Sequence, residues 1–215
     1  VEVNGSVGCG GNDCGVIDMT TTGTNTFTQK IGVGQLFGTT NVAGSTEWKF
    51  NNLKFENSSA GDLTVTTANG TGDIQVDGTL TVGNAGDTNK TILKNDTNNR
   101  VIDANNVDIT SKGTLLASSS AAFKVSGNWT NNSNGTFTSG TGGTVTLDGS
   151  GTQEITAGGV DANHDFYNLT VTNSAGRINF LDSLKLTTGT FTDTTGDSEL
   201  YFHNGSTYTF PIISI

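Results

Sequence analysis

The sequence predicts an all-β protein built as a β-solenoid of short stacked strands, and three observations support this fold class. The first is a repeated stretch. Residues 50–58 and 166–174 share a layout in which an aromatic residue, Asn, Leu, a second apolar residue and a closing Asn-Ser occupy the same places. Both copies continue through Ala-Gly into another alternating segment, and they lie 116 residues apart (166 − 50). A stretch that recurs with its flanks indicates a repeat architecture.

The second observation is that apolar residues from Glu47 onward come in pairs separated by one polar residue. Side chains alternate between the two faces of a strand, so both members of a pair point to the same side. Each strand therefore buries only one such pair before the chain turns. The pairs include Leu53/Phe55, Leu63/Val65, Ile74/Val76, Leu80/Val82, Val107/Ile109, Phe123/Val125, Val145/Leu147, Leu169/Val171, Ile178/Phe180, Leu184/Leu186, Leu200/Phe202 and Tyr208/Phe210.

The third observation is the composition, in which charged residues make up only 14 % of the chain, against roughly 25 % in ordinary globular proteins. There are 30 Gly and one Pro, so the turns depend on Gly, Asn and Asp, as in Asp77-Gly78 and Asn204-Gly205. Very short strands with one small buried face fit a solenoid, in which each coil stacks on its neighbours. The alternative is two tandem β-sandwich domains, one for each copy of the repeated stretch.

Residues 1–40 are a Gly/Thr-rich segment that we interpret as an N-terminal cap or arm, with short strands around 1–3 and 25–31. Within it, Cys9 and Cys14 are separated by four residues, two of which are Gly. A loop this short and flexible predicts a disulfide between them, and two free thiols are the alternative. Zinc would need about four ligands, whereas the chain has only two His. A disulfide implies an oxidising, extracellular setting.

Residues 41–210 are the predicted solenoid repeat domain, and residues 206–215 form an apolar terminal strand. Tyr208, Phe210, Ile212 and Ile213 suit a strand that packs on another surface. Exposed strand edges at the end of a solenoid invite pairing with another chain. Donation of this strand to a neighbour would give a homo-oligomer or an end-to-end filament. The alternatives are that the strand caps its own solenoid or leads into further structure.

The formal charge of −10 argues against nucleic acid as a partner, because phosphate binding relies on Lys and Arg that release counterions. No apolar run reaches the roughly 18 residues of a transmembrane helix, so we expect no membrane span. No signal peptide is recognisable, and a start at Val1 is consistent with a processed end.

Residues 123–180 carry a resemblance to a family. The segments Phe-Lys-Val-Ser-Gly-Asn-Trp-Thr-Asn-Asn, Gly-Thr-Val-Thr-Leu-Asp-Gly-Ser-Gly-Thr-Gln-Glu-Ile-Thr and Phe-Tyr-Asn-Leu-Thr-Val-Thr-Asn are similar to repeats of secreted β-helix surface proteins of bacteria and archaea, the adhesin-like class. The resemblance covers residues 45–210. It implies a β-solenoid at the cell surface that acts as a stalk, filament or adhesin, and it brings no catalytic residues with it.

A calcium site is one candidate in the sequence. Asp161, Asn163 and Asp165 place oxygen ligands at alternating positions, as calcium loops do, but the Gly at position 6 and the Glu at position 12 of an EF-hand are missing. Turn formation before the Phe166 strand would use the same residues. His164, between them, is expected at the surface. No other cofactor is expected.

Sugar binding is a second candidate, since Trp48, Trp129 and Tyr167 could stack on glycan rings. The alternative is that they fill the core or the coil edges. Polysaccharide-cleaving β-helices need clustered acidic and basic residues, and no such cluster is evident in a chain with ten Lys and Arg. We therefore predict that the protein is not an enzyme.

Repeated Thr-x-Thr pairs are a third candidate, because an ordered hydroxyl array on one flat face could bind ice. The intervals between the first members of successive pairs are 15, 57, 8, 26 and 20 residues, and this irregularity counts against an even array. The alternative is that these threonines are ordinary outward positions on strands. The pairs are Thr64/Thr66, Thr79/Thr81, Thr136/Thr138, Thr144/Thr146, Thr170/Thr172 and Thr190/Thr192.

Taken together, the sequence predicts an extracellular structural protein that forms or decorates a surface filament, stalk or layer, with an adhesive role and glycans as candidate targets. The first alternative is a carbohydrate-binding or polysaccharide-degrading β-helix protein. The second alternative is an ice-binding β-solenoid.

Overall fold

The computed structural model describes residues 2–4, 26–31, 34–36, 47–57, 60–67, 73–194 and 199–214, with side chains from Phe50 onward. Every regular element among them is a β-strand, and all the strand pairs are parallel. The strands are β1 (Glu2–Asn4), β2 (Thr26–Ile31), β3 (Gly34–Leu36), β4 (Glu47–Phe50), β5 (Asn52–Phe55), β6 (Leu63–Thr67), β7 (Asp73–Val82), β8 (Thr91–Lys94), β9 (Ile102–Ile109), β10 (Gly113–Leu116), β11 (Phe123–Val125), β12 (Trp129–Asn131), β13 (Thr136–Thr138), β14 (Thr144–Leu147), β15 (Gln153–Thr156), β16 (His164–Phe166), β17 (Asn168–Val171), β18 (Arg177–Phe180), β19 (Leu184–Leu186), β20 (Thr190–Asp193), β21 (Glu199–Phe202), β22 (Tyr208–Thr209) and β23 (Ile212–Ser214).

The strands stack into three parallel ladders, which form the three faces of a β-solenoid. Face 1 runs through β4, the first half of β7, the first half of β9, β11, β14, β17, β20 and β23. Face 2 runs through β1, β2, β5, the second halves of β7 and β9, β12, β15, β18 and β21. Face 3 runs through β3, β6, β8, β10, β13, β16, β19 and β22. The uninterrupted stretch 73–194 makes about five turns.

This arrangement confirms the predicted β-solenoid and excludes the tandem-sandwich alternative, because no strand pairs antiparallel to a neighbour among the described residues. The segment 1–40, predicted to be an N-terminal cap or arm, contains β2 and β3, which pair with β5 and β6. Cys9 and Cys14 lie outside the described residues, so the disulfide stays a prediction.

The core is a column of inward side chains in register from coil to coil. On face 1 successive members are 26, 28, 21, 22, 24 and 22 residues apart, so the coils differ in length although the ladder is continuous. The members of this column are Phe50, Val76, Ala104, Val125, Leu147, Val171 and Asp193. The alternation of buried and half-exposed positions along β6, β14 and β17 follows the apolar pairs of the sequence.

The two copies of the repeated stretch occupy different faces. Phe50 ends a strand of face 1 and Asn52 begins one of face 2, whereas Phe166 ends a strand of face 3 and Asn168 begins one of face 1. The repeated unit is therefore a strand end, a corner and the next strand. An offset of 116 residues is accordingly not a whole number of coils.

The Asn of the repeated unit connects its corner to the next coil. Asn52 Oδ1 accepts a hydrogen bond from Thr79 N at 2.8 Å, and Asn168 Oδ1 accepts one from Thr190 N at 2.9 Å. In both cases a Gly precedes the donor, and a Cβ on Gly78 or Gly189 would overlap the Asn side chain and the backbone carbonyl before it. We call this arrangement the Asn–Gly corner. Asn106 and Gly127-Asn128 repeat it, with a bond of 2.8 Å.

Candidate functional site

The C-terminal end of the solenoid consists of β21 to β23, and it exposes apolar side chains as well as one edge of each strand. Within the described part of the chain each of these strands pairs on one side only, with β18, β19 and β20 respectively. Their inward positions continue the core column but have no described coil above them. We call the side chains at these positions the end surface: Leu200, Phe202, Tyr208, Phe210 and Ile213.

The end surface is held in place by aromatic contacts with the coil below. The ring of Phe202 stacks on Phe180 with centroids 5.1 Å apart and 11° between the planes, yet Phe202 remains 46 % exposed. The hydroxyl of Tyr208 donates to Phe180 O at 3.0 Å and accepts from His203 N at 2.9 Å. Phe210 lies 4.9 Å from Phe191, centroid to centroid. Among the described residues, this surface is apolar and is not covered by a further coil.

Two isoleucines on the last strand differ in direction although both are 55 % exposed. Ile213 pairs in register with the buried Phe191, so it lies on top of the core column. Ile212 pairs with Thr190, an outward residue, so it points to the side of face 1. Only Ile213 would be covered by another coil stacked on this end.

The residues predicted for assembly therefore have separate roles. Tyr208, Phe210 and Ile213 belong to the end surface, and Ile212 does not. Their strands pair with β19 and β20 of the same chain, and the role of this segment in assembly stays a prediction. The sequence analysis did not assign Leu200 and Phe202 to assembly, although their apolar pair was visible in the sequence.

The three candidate calcium ligands form a turn. Asp161 Oδ1 accepts a hydrogen bond from Asn163 N at 2.8 Å and lies 2.7 Å from His164 Nδ1. These bonds, the one with His164 first, hold the pKa of Asp161 below its usual value. Asp165 is on β16, where its Oδ2 accepts from Thr187 Oγ1. This is the turn chemistry given as the alternative, and the calcium site stays a prediction.

His164 is only 3 % exposed, so the expectation that it lies at the surface is wrong. It occupies an inward position of face 3, in register with Phe137, and Asp161 covers its ring nitrogen. Within the described ranges, no group of three His, Cys, Asp or Glu side chains is placed to hold a metal ion.

Trp129 is only 1 % exposed, so its ring is not accessible for stacking on a sugar. Its ring lies among Phe123, Phe137 and Phe166, with centroid distances of 5.7, 4.7 and 5.2 Å, in the middle of the core. Tyr167 is half-exposed at the corner between faces 3 and 1. The backbone of Trp48 lies in β4, and its side chain is outside the described residues.

Charged side chains lie at outward positions of face 2. Lys54 Nζ lies 2.6 Å from Glu56 Oε2, and Asp108 is the outward neighbour of Lys54 two coils on. Burial raises the pKa of Asp108, and Lys54 opposes that shift. On face 1, burial also raises the pKa of Asp148, with repulsion from Asp103 adding to it.

Three of the six Thr-x-Thr pairs lie on one face, which the sequence spacing did not suggest. Thr144/Thr146, Thr170/Thr172 and Thr190/Thr192 belong to β14, to β17 and its end, and to β20, the consecutive strands of face 1. The remaining pairs are split between faces 2 and 3.

The structure contains no helix among the residues it describes, and so none long and apolar enough to cross a membrane. Comparison with protein-family models, with curated proteins and with solved structures finds no match to this chain.

Proposed function

We propose that this chain is an extracellular structural protein that forms or decorates a cell-surface filament, stalk or layer, and that copies stack end to end. The observation that carries the proposal is the end surface, where three half-paired strands surround an open apolar column. Unpaired strand edges are templates for pairing with another chain, and exposed contiguous apolar surface marks interaction sites.

Parallel coils give this contact a direction. A second copy whose first coil stacks on the end surface would continue all three ladders and bury Phe202 and Ile213. Such a head-to-tail contact is heterologous and does not close on itself, so it builds open fibres. A tail-to-tail contact would use the same surface twice and stop at a dimer.

The extracellular location is supported by the resemblance of residues 123–180 to secreted surface repeats and by the low charged fraction of 14 %. No catalytic residue is assigned. Burial of Trp129 weakens the carbohydrate-binding alternative.

The test uses the full chain and a matched pair of substitutions. Ile213→Asp places a charge on the end surface, and Ile212→Asp places the same charge on the neighbouring residue with the same 55 % exposure but an outward direction. Negative-stain electron microscopy and sedimentation velocity over a range of protein concentrations report polymer length. Circular dichroism reports that both variants keep their strands.

We expect concentration-dependent fibres from the unmodified protein and from Ile212→Asp, and shortened particles from Ile213→Asp. A second matched pair, Phe202→Asp and Tyr201→Asp, should behave in the same way, because Phe202 points into the column and Tyr201 points outward. A protein that stays monomeric at every concentration, or that stops at dimers, would contradict the filament. Equal effects of both members of a pair would show that the end surface is not the contact.

A further inference from the structure

Face 1 carries a column of hydroxyl side chains on consecutive strands near the C-terminal end. The central column is formed by Thr146, Thr170, Thr192 and Ser214, which pair in register. Thr144, Asn168 and Thr190 lie in register on one side of it. On the other side, Thr172 and Thr194 follow the ends of their strands at the equivalent position. We call these residues the hydroxyl face.

The central hydroxyls are free to bond a ligand. Thr146, Thr170 and Thr192 are half-exposed, and their side chains make no hydrogen bond to any other described residue. A hydroxyl group is both a donor and an acceptor. Each of these side chains has a restricted χ1 because Thr is β-branched, so the array is stiff before a ligand arrives.

The hydroxyl face is a regular and neutral lattice. Strands in a ladder lie about 4.8 Å apart, and alternate residues along a strand lie about 6.6 Å apart, so the outward side chains repeat in two dimensions. In the side column the amide of Asn168 stands between the hydroxyls of Thr144 and Thr190. Among the outward positions, the nearest charged residues are at the border: Lys124 precedes Thr146 in the central column, and Asp148 precedes Thr172 in the side column. Asp193, between Thr192 and Thr194, occupies an inward, buried position. A neutral surface does not select ionic ligands.

The unequal spacing of the Thr pairs along the chain does not disturb this lattice. Thr146 and Thr170 are 24 residues apart and Thr170 and Thr192 are 22 apart, yet all three are in register. The difference is taken up in the turns between faces, because the ladder fixes only the strands. Irregular intervals along the sequence are therefore compatible with an even array on these three coils.

We propose that the hydroxyl face binds the surface of ice crystals. An ice surface is itself a flat lattice of oxygens that donate and accept hydrogen bonds, with repeat distances of the same order as the two spacings above. Thr offers a hydroxyl and a methyl group at each lattice point, so the face can hydrogen-bond to the crystal and exclude loose water at the same time. A soluble sugar or an ion would be bound better by a concave or charged site, and this face is a ladder of strands whose outward side chains here carry no charge.

The test measures inhibition of ice recrystallisation and thermal hysteresis with the full chain. Thr170→Lys places a long charged side chain at the centre of the hydroxyl face. Its matched control is Thr130→Lys on β12, an exposed outward Thr of face 2, where Asp108 precedes it in the column. Circular dichroism and thermal unfolding establish that each variant is folded. Thr146→Lys is a second variant on the hydroxyl face, should Thr170→Lys fail to fold.

We expect the unmodified chain and Thr130→Lys to slow recrystallisation and to shape growing crystals. Thr170→Lys and Thr146→Lys should fall to the level of the buffer control. A folded chain without either activity would overturn the proposal, as would equal loss in the face 1 and face 2 variants. These readouts are independent of filament formation, since Thr170 is not part of the end surface.

Discussion

Replacement of Asn173 by Ala should be among the most costly single substitutions at a corner of this solenoid. Asn173 is fully buried where β17 ends, and its side chain joins two coils. Its Nδ2 donates to Gly151 O at 2.8 Å and to Gln153 Oε1 at 2.9 Å, and its Oδ1 accepts from Gly176 N at 2.7 Å. Ala would leave Gly151 O and Gly176 N without this partner, while Gln153 Oε1 keeps the bond that Gly149 N donates at 3.1 Å.

The size of the effect follows from burial. A buried polar group that loses its hydrogen-bond partner costs about 1–3 kcal/mol. Two groups lose their partner, but the corner is next to solvent and water can reach part of it, so we expect a loss of about 2–4 kcal/mol in the free energy of unfolding. For a chain of this size each kcal/mol lowers the midpoint of thermal unfolding by about 2–4 °C. The total shift should therefore be about 4–16 °C.

The assay is urea unfolding followed by circular dichroism, with Ser174→Ala as the control. Ser174 is the exposed neighbour and keeps its backbone bond to Gly149 O at 3.1 Å. Gln153 donates to Val125 O and Gly127 O, so a double-mutant cycle with Gln153→Ala should show coupling between the two amides. If Asn173→Ala stays within about 0.5 kcal/mol of the Ser174 control, the idea that buried amides hold the corners together is refuted.

Three further predictions test the corners, the charges and the core. Gly189→Ala should destabilise by about 1–3 kcal/mol, because its Cβ would overlap Tyr167 O, while Gly151→Ala, which meets open space, serves as its control in the same unfolding assay. Burial raises the pKa of Asp148 in the folded protein. The contribution of this residue to stability is therefore present below its unfolded pKa and is lost as the pH rises through its folded pKa. Asp148→Asn should raise the thermal midpoint at pH 7 and not at pH 3. An unchanged difference between those two pH values would contradict the raised pKa. Trp129→Ala should lower the free energy of unfolding by about 3–5 kcal/mol. Trp129→Phe should lower it clearly less, because the indole Nε1 has no hydrogen-bond partner among the described residues to lose. Equal losses of the two variants in urea unfolding would count against this account of the core.

The fold could be predicted because, in a solenoid, the buried positions of each strand can be recognised from residues that are close together in the sequence. Every apolar pair, such as Leu169/Val171, reports one inward strand face without reference to distant residues. Turn residues then mark where strands end. What the pattern could not supply was which face a strand joins, because corners vary in length. For that reason the 116-residue offset suggested a repeated unit but not that its copies lie on different faces.

The candidate surfaces were harder to predict for the same reason. Whether Thr146 and Thr170 are neighbours depends on the number of residues in the corners between them. Exposure is likewise set by the presence of a next coil: Phe180 and Phe202 have the same direction, and only Phe202 is exposed. Trp129 and His164 face inward, a fact fixed by the parity of their positions on short strands.

The Asn–Gly corner has a consequence for how such a chain can change. One copy of the strand-corner-strand unit leads from face 1 to face 2 and the other leads from face 3 to face 1. The smallest insertion that keeps the core intact is therefore one strand with its corner, a third of a coil, rather than a full coil. Such an insertion would leave the buried column continuous but rotate everything downstream by a third of the circumference. A surface feature built from side chains of several consecutive coils, such as a row of hydroxyls, would then be interrupted at the insertion although the chain still folds.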